Sequence, residues 1–229
     1  MKLIKQSYKI LHITPDAYKQ IELAARTCYD SHHKITEDSA PKLIKGLLKR
    51  DHLSPFEFAD IHVVFTTDRS VSHELVRHRI ASYQQQSQRY VNYDSVDFIL
   101  PPWVPDTYLG DWNPQPPDQE HPMHYDNETL NTTEGTAIWY YIQSLKCAEN
   151  SYQKLRELGW PPERARKVLP NSTATIIHVK ANFRSWQHIL NLRYNGATGR
   201  PDPTMYDLMA PLQAELSTLF PEVFQNEEK

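Results

Sequence analysis

Between positions 101 and 122 the chain carries seven of its seventeen prolines: Pro101, Pro102, Pro105, Pro114, Pro116, Pro117 and Pro122, with Trp103 and Trp112 among them. Proline lacks the backbone donor and fixes φ, so at this density neither a helix nor a central strand can run through. Residues 101–133 are therefore read as an irregular loop. It is either a surface loop tied down by its aromatics or a lid or subunit-contact arm. Regular structure must lie on either side.

Upstream, loose alternation over 3–13 predicts a strand. Thr14-Pro15-Asp16 then opens a helix to about Cys28, with Thr14 as its cap. Ser39 and Pro41 repeat that signal for a second helix carrying Leu43, Ile44, Leu47 and Leu48. Residues 60–67, β-branched and aromatic, predict a strand, and a helix over 70–79 follows. Downstream, the patterns give a long helix over 134–158, a short one opening at Pro161-Pro162-Glu163, a strand over 173–179, and helices over 184–193 and 203–219. Strands without regular crossovers point to α+β: one domain, 1–229, with a central mostly antiparallel sheet flanked by helices and the proline-rich stretch as an insertion.

The 229 residues carry a net charge of −3, which disfavours a general nucleic-acid binder. The six glycines form neither G-x-G-x-x-G nor G-x-x-x-x-G-K-[ST], so both backbone phosphate cradles are missing. Any bound nucleotide must have its phosphates neutralised by side chains. Cys28 and Cys147 stand alone and are expected in the core of a reduced protein. The eleven histidines show no metal-ligand spacing, so no metal is expected. The N-terminus lacks the apolar run of a signal peptide, and a cytoplasmic setting is expected.

Arginine is the natural phosphate ligand, because its planar fork donates in pairs and keeps its charge. Residues 77–89 hold three arginines, Arg77, Arg79 and Arg89, with His78 and Ser87. On a helix successive residues turn about 100°, so Arg77 and Arg79 are expected on nearly opposite sides, with His78 on the buried stripe. In the 184–193 helix Trp186, Ile189, Leu190 and Arg193 form one stripe, and Arg184, His188 and Asn191 another. A charge that extends a buried stripe needs a partner. Either an internal carboxylate pairs with it, or a ligand sits on each side of the helix. Gln84 to Gln88 form either an exposed polar turn or a set of amides for a uracil or flavin edge.

These segments together resemble the flavin-dependent thymidylate synthases. The family's hallmark, R-H-R followed by seven residues, Ser, one residue and Arg, stands here as Arg77-His78-Arg79, Ser87 and Arg89. Three further stretches agree in order and spacing: His52-x-Ser54-Pro55-Phe56-Glu57, Ala165 to Pro170, and Asn182-x-Arg184-x-x-x-His188-x-x-Asn191-Leu192-Arg193. The resemblance spans about residues 50–195. It implies reductive methylation of dUMP to dTMP by a homotetramer with active sites at subunit contacts. Methylenetetrahydrofolate would be the carbon donor, NADPH the reductant and FAD the cofactor. Carried over by position, Ser54, Arg77, His78, Arg79, Gln85, Asn182, Phe183, Arg184 and His188 should hold FAD. Glu74, Leu75, Val76, Arg77, Gln85, Gln86, Ser87, Gln88, Arg89, Arg166 and Arg193 should hold dUMP. Arg193 should polarise the uracil ring, and no cysteine nucleophile is implied. Gln85 marks a variation, since some members carry Glu there. A flavin reductase or nucleotide-modifying enzyme on the same frame is an alternative, as is a nucleotide- or RNA-binding module.

Overall fold

The computed structural model describes residues 1–111 and 133–225. Of the proline-rich stretch, Trp112, Pro114, Pro116, Pro117 and Pro122 lie outside the described residues. The chain divides into two compact units, and both mix strands with helices.

One unit comprises Met1–Gln6, Thr67–Ser70 and Gln86–Thr175. Its sheet is built on β1 (Lys2–Ile4), which pairs in parallel with β5 (Asp97–Ile99) and antiparallel with β6 (Gly110–Asp111). The long helix α4 (Thr133–Glu157), followed by the short α5 (Pro162–Ala165), packs Ile138, Ile142, Leu145 and Tyr152 against Leu3, Val96, Phe98 and Val104. Its buried positions recur every three or four residues, the spacing that puts one face of a helix on a core. Proline density does not exclude order everywhere in 101–111. A 3-10 turn over Asp106–Tyr108 leads into β6, and Gly110, at φ 121°, takes a backbone conformation that side-chain-bearing residues rarely adopt.

The other unit comprises Ser7–Thr66, Val71–Gln85 and the residues from Ile176 onward. Its four-stranded sheet runs in the order β2 (Ser7–Ile13), β3 (Asp60–Asp68), β7 (Ala174–Asn182), β4 (Ser82–Gln85). The outer pairs, β2 with β3 and β4 with β7, are antiparallel. Strand alternation decides the faces. Ile61, Val63 and Phe65 of β3 and Ile177 and Val179 of β7 are fully buried, whereas His62 and His178 point the other way. The buried face is covered by α1 (Ala17–Thr27), α2 (Ser39–Lys49), α6 (Phe183–Arg193) and α7 (Pro203–Leu219).

Four expectations need correction. The strand expected over 3–13 is two strands that belong to different sheets, β1 and β2. Thr14 does not cap α1: its hydroxyl accepts from the Asp60 backbone N–H at 2.8 Å, and the helix starts after Asp16 in a left-handed conformation. The helix expected over 70–79 is α3 (Arg69–Leu75), so Arg77, His78 and Arg79 lie beyond its end. Tertiary partners take the carbonyls there, with Arg193 donating to that of Glu74 and Tyr83 to that of His78. Both cysteines are exposed rather than core, because Cys28 follows the end of α1 and Cys147 sits on the outer face of α4.

Candidate functional site

Two segments separated by about a hundred residues of sequence meet in the second unit. One is the turn after α3; the other is α6. Asn182 ends β7 and caps α6, its side chain accepting from the Ser185 N–H at 2.8 Å. Trp186, Ile189 and Leu190 anchor the helix in the core, and Arg193 prolongs that stripe to where the core ends. Its guanidinium is held on three sides. Nη1 donates to the Glu74 carboxylate, Nη2 to the Glu74 carbonyl at 3.2 Å, and Nε to His78 Nε2 at 3.1 Å. Of the five N–H donors of a guanidinium, two therefore remain for a guest.

That geometry fixes the state of His78. A nitrogen that accepts from arginine carries no proton, so the neutral ring holds its proton on Nδ1. Burial, with Arg193, His188 and Arg77 nearby, pushes the imidazole down to about 4. The His188 ring meets it edge-on at 5.7 Å.

Around these residues opens a cavity of about 1070 Å³, lined by Arg77, His78, Arg79, Arg184, His188 and Arg193, with Leu53, Glu57, Ile80, Gln213, Val223 and Phe224. Arg77 and Arg79 were expected on opposite sides of a helix. Freed from helical geometry, they line the same cavity. The two stripes of α6 likewise border one space rather than two. Four guanidiniums face one carboxylate on this wall, an arrangement that favours an anionic guest.

Carboxylate partners do exist: Glu57 for Arg184 at 2.6 Å, and Glu74 for Arg193. The first pair is about half exposed on both sides, 49% and 44%, so it contributes little and exchanges readily for a ligand. Arg77 and Arg79 have no ion-pair partner among the described residues.

The remaining candidates are placed as follows. Ser54 opens the 3-10 turn Ser54–Phe58 between the lining residues Leu53 and Glu57, and is not itself on the wall. The Phe183 side chain is buried against Phe220 and Phe224, and its backbone N–H donates to the Ala59 carbonyl at 2.9 Å. Leu75 is core and Val76 is exposed. Gln85 is a strand residue whose amide donates to Ser72 Oγ at 2.9 Å. Gln86, Ser87, Gln88, Arg89 and Arg166 belong to the other compact unit, where Arg89 pairs with Glu163 at 3.1 Å. Sequence reasoning missed the cavity's apolar and amide contributors: Gln213 and Phe224, joined by a Gln213 side-chain to Phe224 carbonyl bond, carry no local motif.

His78 makes stability depend on pH. Its folded value lies below the unfolded one of about 6.5, so between about 4 and 6.5 the unfolded chain binds the extra proton. Its contribution is then complete above 6.5 and lost as pH falls towards 4. His62, lowered by burial and by His178, Lys180 and His12, slopes the same way in any His78 variant. Urea unfolding of His78→Gln, whose amide oxygen can still accept from Arg193, should show a pH slope shallower than wild type by up to about 1.4 kcal/mol per pH unit in that window. Parallel curves would mean that His78 titrates normally.

The family model described as thymidylate synthase complementing protein matches residues 9–221. A flavin-dependent thymidylate synthase of Mycobacteroides abscessus is 31% identical over 207 residues, covering 89% of this chain and 77% of the relative. One of Geobacter sulfurreducens is 33% identical over 195 residues, covering 80% and 72%. In fold, the chain is similar to the UMP/dUMP methylase PolB of Streptomyces cacaoi bound with 5-Br dUMP, with TM-score 0.75 and 21% identity over 98% of this chain and 96% of that one. The chain therefore belongs to the flavin-dependent thymidylate synthase family and is an enzyme of the methyltransferase kind.

Proposed function

We propose that the protein converts dUMP to dTMP, taking a methylene from methylenetetrahydrofolate and reducing equivalents from NADPH through FAD, as a cytoplasmic homotetramer. The family match runs through both compact units, which supports reading residues 1–229 as one synthase domain. Among the described residues no helix is long and apolar enough to cross a membrane.

One observation carries the reading. The arginine-rich turn after α3 and the Arg184–Arg193 face of α6 line a single cavity. The cavity fits a dinucleotide cofactor on two counts. Its volume of about 1070 Å³ lies just above the about 300–1,000 Å³ usual for small-molecule sites. Its wall also supplies the guanidiniums that a pyrophosphate needs where no glycine cradle exists. Arg77, Arg79, Arg184 and His188 would hold FAD, which supplies the hydride that completes the methyl group.

The chain's own residues do the rest. C5 of uracil becomes nucleophilic as the ring takes on anionic character, and a fixed cation beside it stabilises that charge. Arg193 is such a cation. Glu74 and His78 fix its plane, and its two remaining donors are available to ring oxygen. Because His78 stays neutral near pH 7, it accepts from Arg193 without adding a competing charge. Cys28 and Cys147 are exposed and are not among the cavity's lining residues, which supports a mechanism without a thiol at C6.

The test is tritium release from C5-labelled dUMP. Release should require methylenetetrahydrofolate, NADPH and FAD together, and should persist in the Cys28→Ala/Cys147→Ala double variant. Release independent of folate would overturn the assignment. Loss of release in a folded double variant would restore a thiol mechanism.

A further inference from the structure

The cavity has one wall that the family match does not reach. The match ends at residue 221, yet Val223, Phe224 and Gln225 line the cavity together with its arginines. Val223 and Phe224 belong to α8 (Pro221–Phe224), a single turn that follows α7. Four residues are too few for a helix to hold itself, because the first turn fixes several dihedrals for one hydrogen bond. Other elements of the same compact unit hold this one.

The grip is made of side chains. Tyr18 of α1 donates to the Glu222 carboxylate at 2.7 Å, and burial together with that bond raises the phenol, which keeps it a donor. Lys45 of α2 lies 3.8 Å from the same carboxylate, but its side chain is largely exposed and contributes little. Gln187 of α6 donates to the Val223 carbonyl at 2.9 Å. From α7 the Gln213 amide and Ser217 Oγ, the latter at 2.9 Å, both donate to the Phe224 carbonyl.

Gln187 decides where the wall stands. Residues three and four apart share a helix face, so Gln187 stands with Arg184, His188 and Asn191, and all four line the cavity. Its bond to Val223 therefore sets α8 against the α6 face that carries Arg184 and His188. Two apolar side chains at that place keep water away from a guanidinium and an imidazole, and hydrogen bonds to a charged guest strengthen as water is excluded. Tyr18 and Glu222 are not among the lining residues, so any effect they have on a guest passes through α8.

We propose that Tyr18 and Glu222 are positioning residues that seat α8 as a water-excluding wall of the cavity, and that this seating sets how tightly a flavin dinucleotide is held. The proposal rests on the FAD reading above. It concerns residues that the seating brings to the site, since Glu222 to Gln225 lie beyond the matched range.

The experiment uses the full chain, stripped of flavin, with FAD and inorganic pyrophosphate as probes. Glu222→Gln keeps an oxygen that accepts from Tyr18 and should bind FAD as wild type does. Glu222→Ala and Tyr18→Phe lose the bond, and the Kd for FAD should rise about tenfold in each. FAD binding by these two should also weaken more steeply with added salt, because screening then reaches cations that α8 had kept from solvent. A residue that only stabilised the fold would move the unfolding midpoint and leave both readings, taken well below that midpoint, unchanged.

Equal FAD affinity in all four proteins would overturn the proposal and leave the thymidylate reading standing. An equal loss in Glu222→Gln and Glu222→Ala would also overturn it. If wild type does not take up FAD, yet pyrophosphate raises its thermal midpoint and raises that of Glu222→Ala less, the wall stands and the flavin reading falls. If neither probe binds wild type, both fall.

Discussion

Replacing Arg193 with alanine is expected to lower kcat about 10²–10³-fold, the range found when one charge-stabilising donor is removed from an active site. The flavin spectrum of the variant should remain close to that of wild type, because Arg77, Arg79 and Arg184 still line the cavity. The loss has two parts. The ring loses its fixed cation, and Glu74, whose side chain is 36% exposed, loses the partner that neutralises it. Arg193→Lys separates them. A lysine ammonium restores the charge beside Glu74, but as a single point it cannot serve the carboxylate, the carbonyl and His78 Nε2 at once. Lysine should therefore recover stability and the pH dependence of unfolding while leaving kcat within about tenfold of the alanine variant. Single-turnover tritium release with saturating dUMP reads this directly. Near-normal turnover in either variant would remove Arg193 from its assigned role.

Trp186→Ala should be the most damaging change to stability. The side chain is fully buried against Phe65, at 6.3 Å between rings, and its Nε1 donates to the Ile61 carbonyl at 3.0 Å. Deleting a buried aromatic costs about 3–5 kcal/mol through lost transfer energy and the cavity left behind. The orphaned carbonyl on the central strand β3 adds a further about 1 kcal/mol or more. A domain with about 5–15 kcal/mol of total stability would keep little margin. The effect reaches function by way of α6. Trp186 holds one face of the helix in the core, and Arg184 and His188 project from the other. Urea unfolding should show the loss, and the variant should release flavin at lower denaturant than wild type. A midpoint shift equivalent to less than about 1 kcal/mol would mean that the core closes around the deletion.

Much of this was legible from the chain alone, where the signal was periodic or compositional. The strand at 60–67 was readable because Ile61, Val63, Val64, Phe65, Thr66 and Thr67 are β-branched or aromatic, and α6 because Trp186, Ile189, Leu190 and Arg193 fall on one stripe. The absence of glycine cradles directed attention to arginine, and Arg77, Arg79, Arg184 and Arg193 line one cavity. What failed did so for tertiary reasons. Thr14 has the chemistry of a cap, yet its hydroxyl is claimed by Asp60, forty-six residues away. Helical periodicity was carried through Arg77 and Arg79, but the Glu74 and His78 carbonyls are taken by Arg193 and Tyr83, and α3 stops at Leu75. Nothing local marked Gln213 or Phe224 as cavity walls, since neither belongs to a motif.

Residue types and their spacing determined the kind of chemistry available: permanent cations in pairs, no thiol with a base, no backbone phosphate loop. Those properties belong to side chains and survive any folding. The tertiary structure decided which cations share a space, and that Arg193 is oriented by Glu74 and a neutral His78. Burial and long-range hydrogen bonds set these, and both depend on residues far apart in the chain.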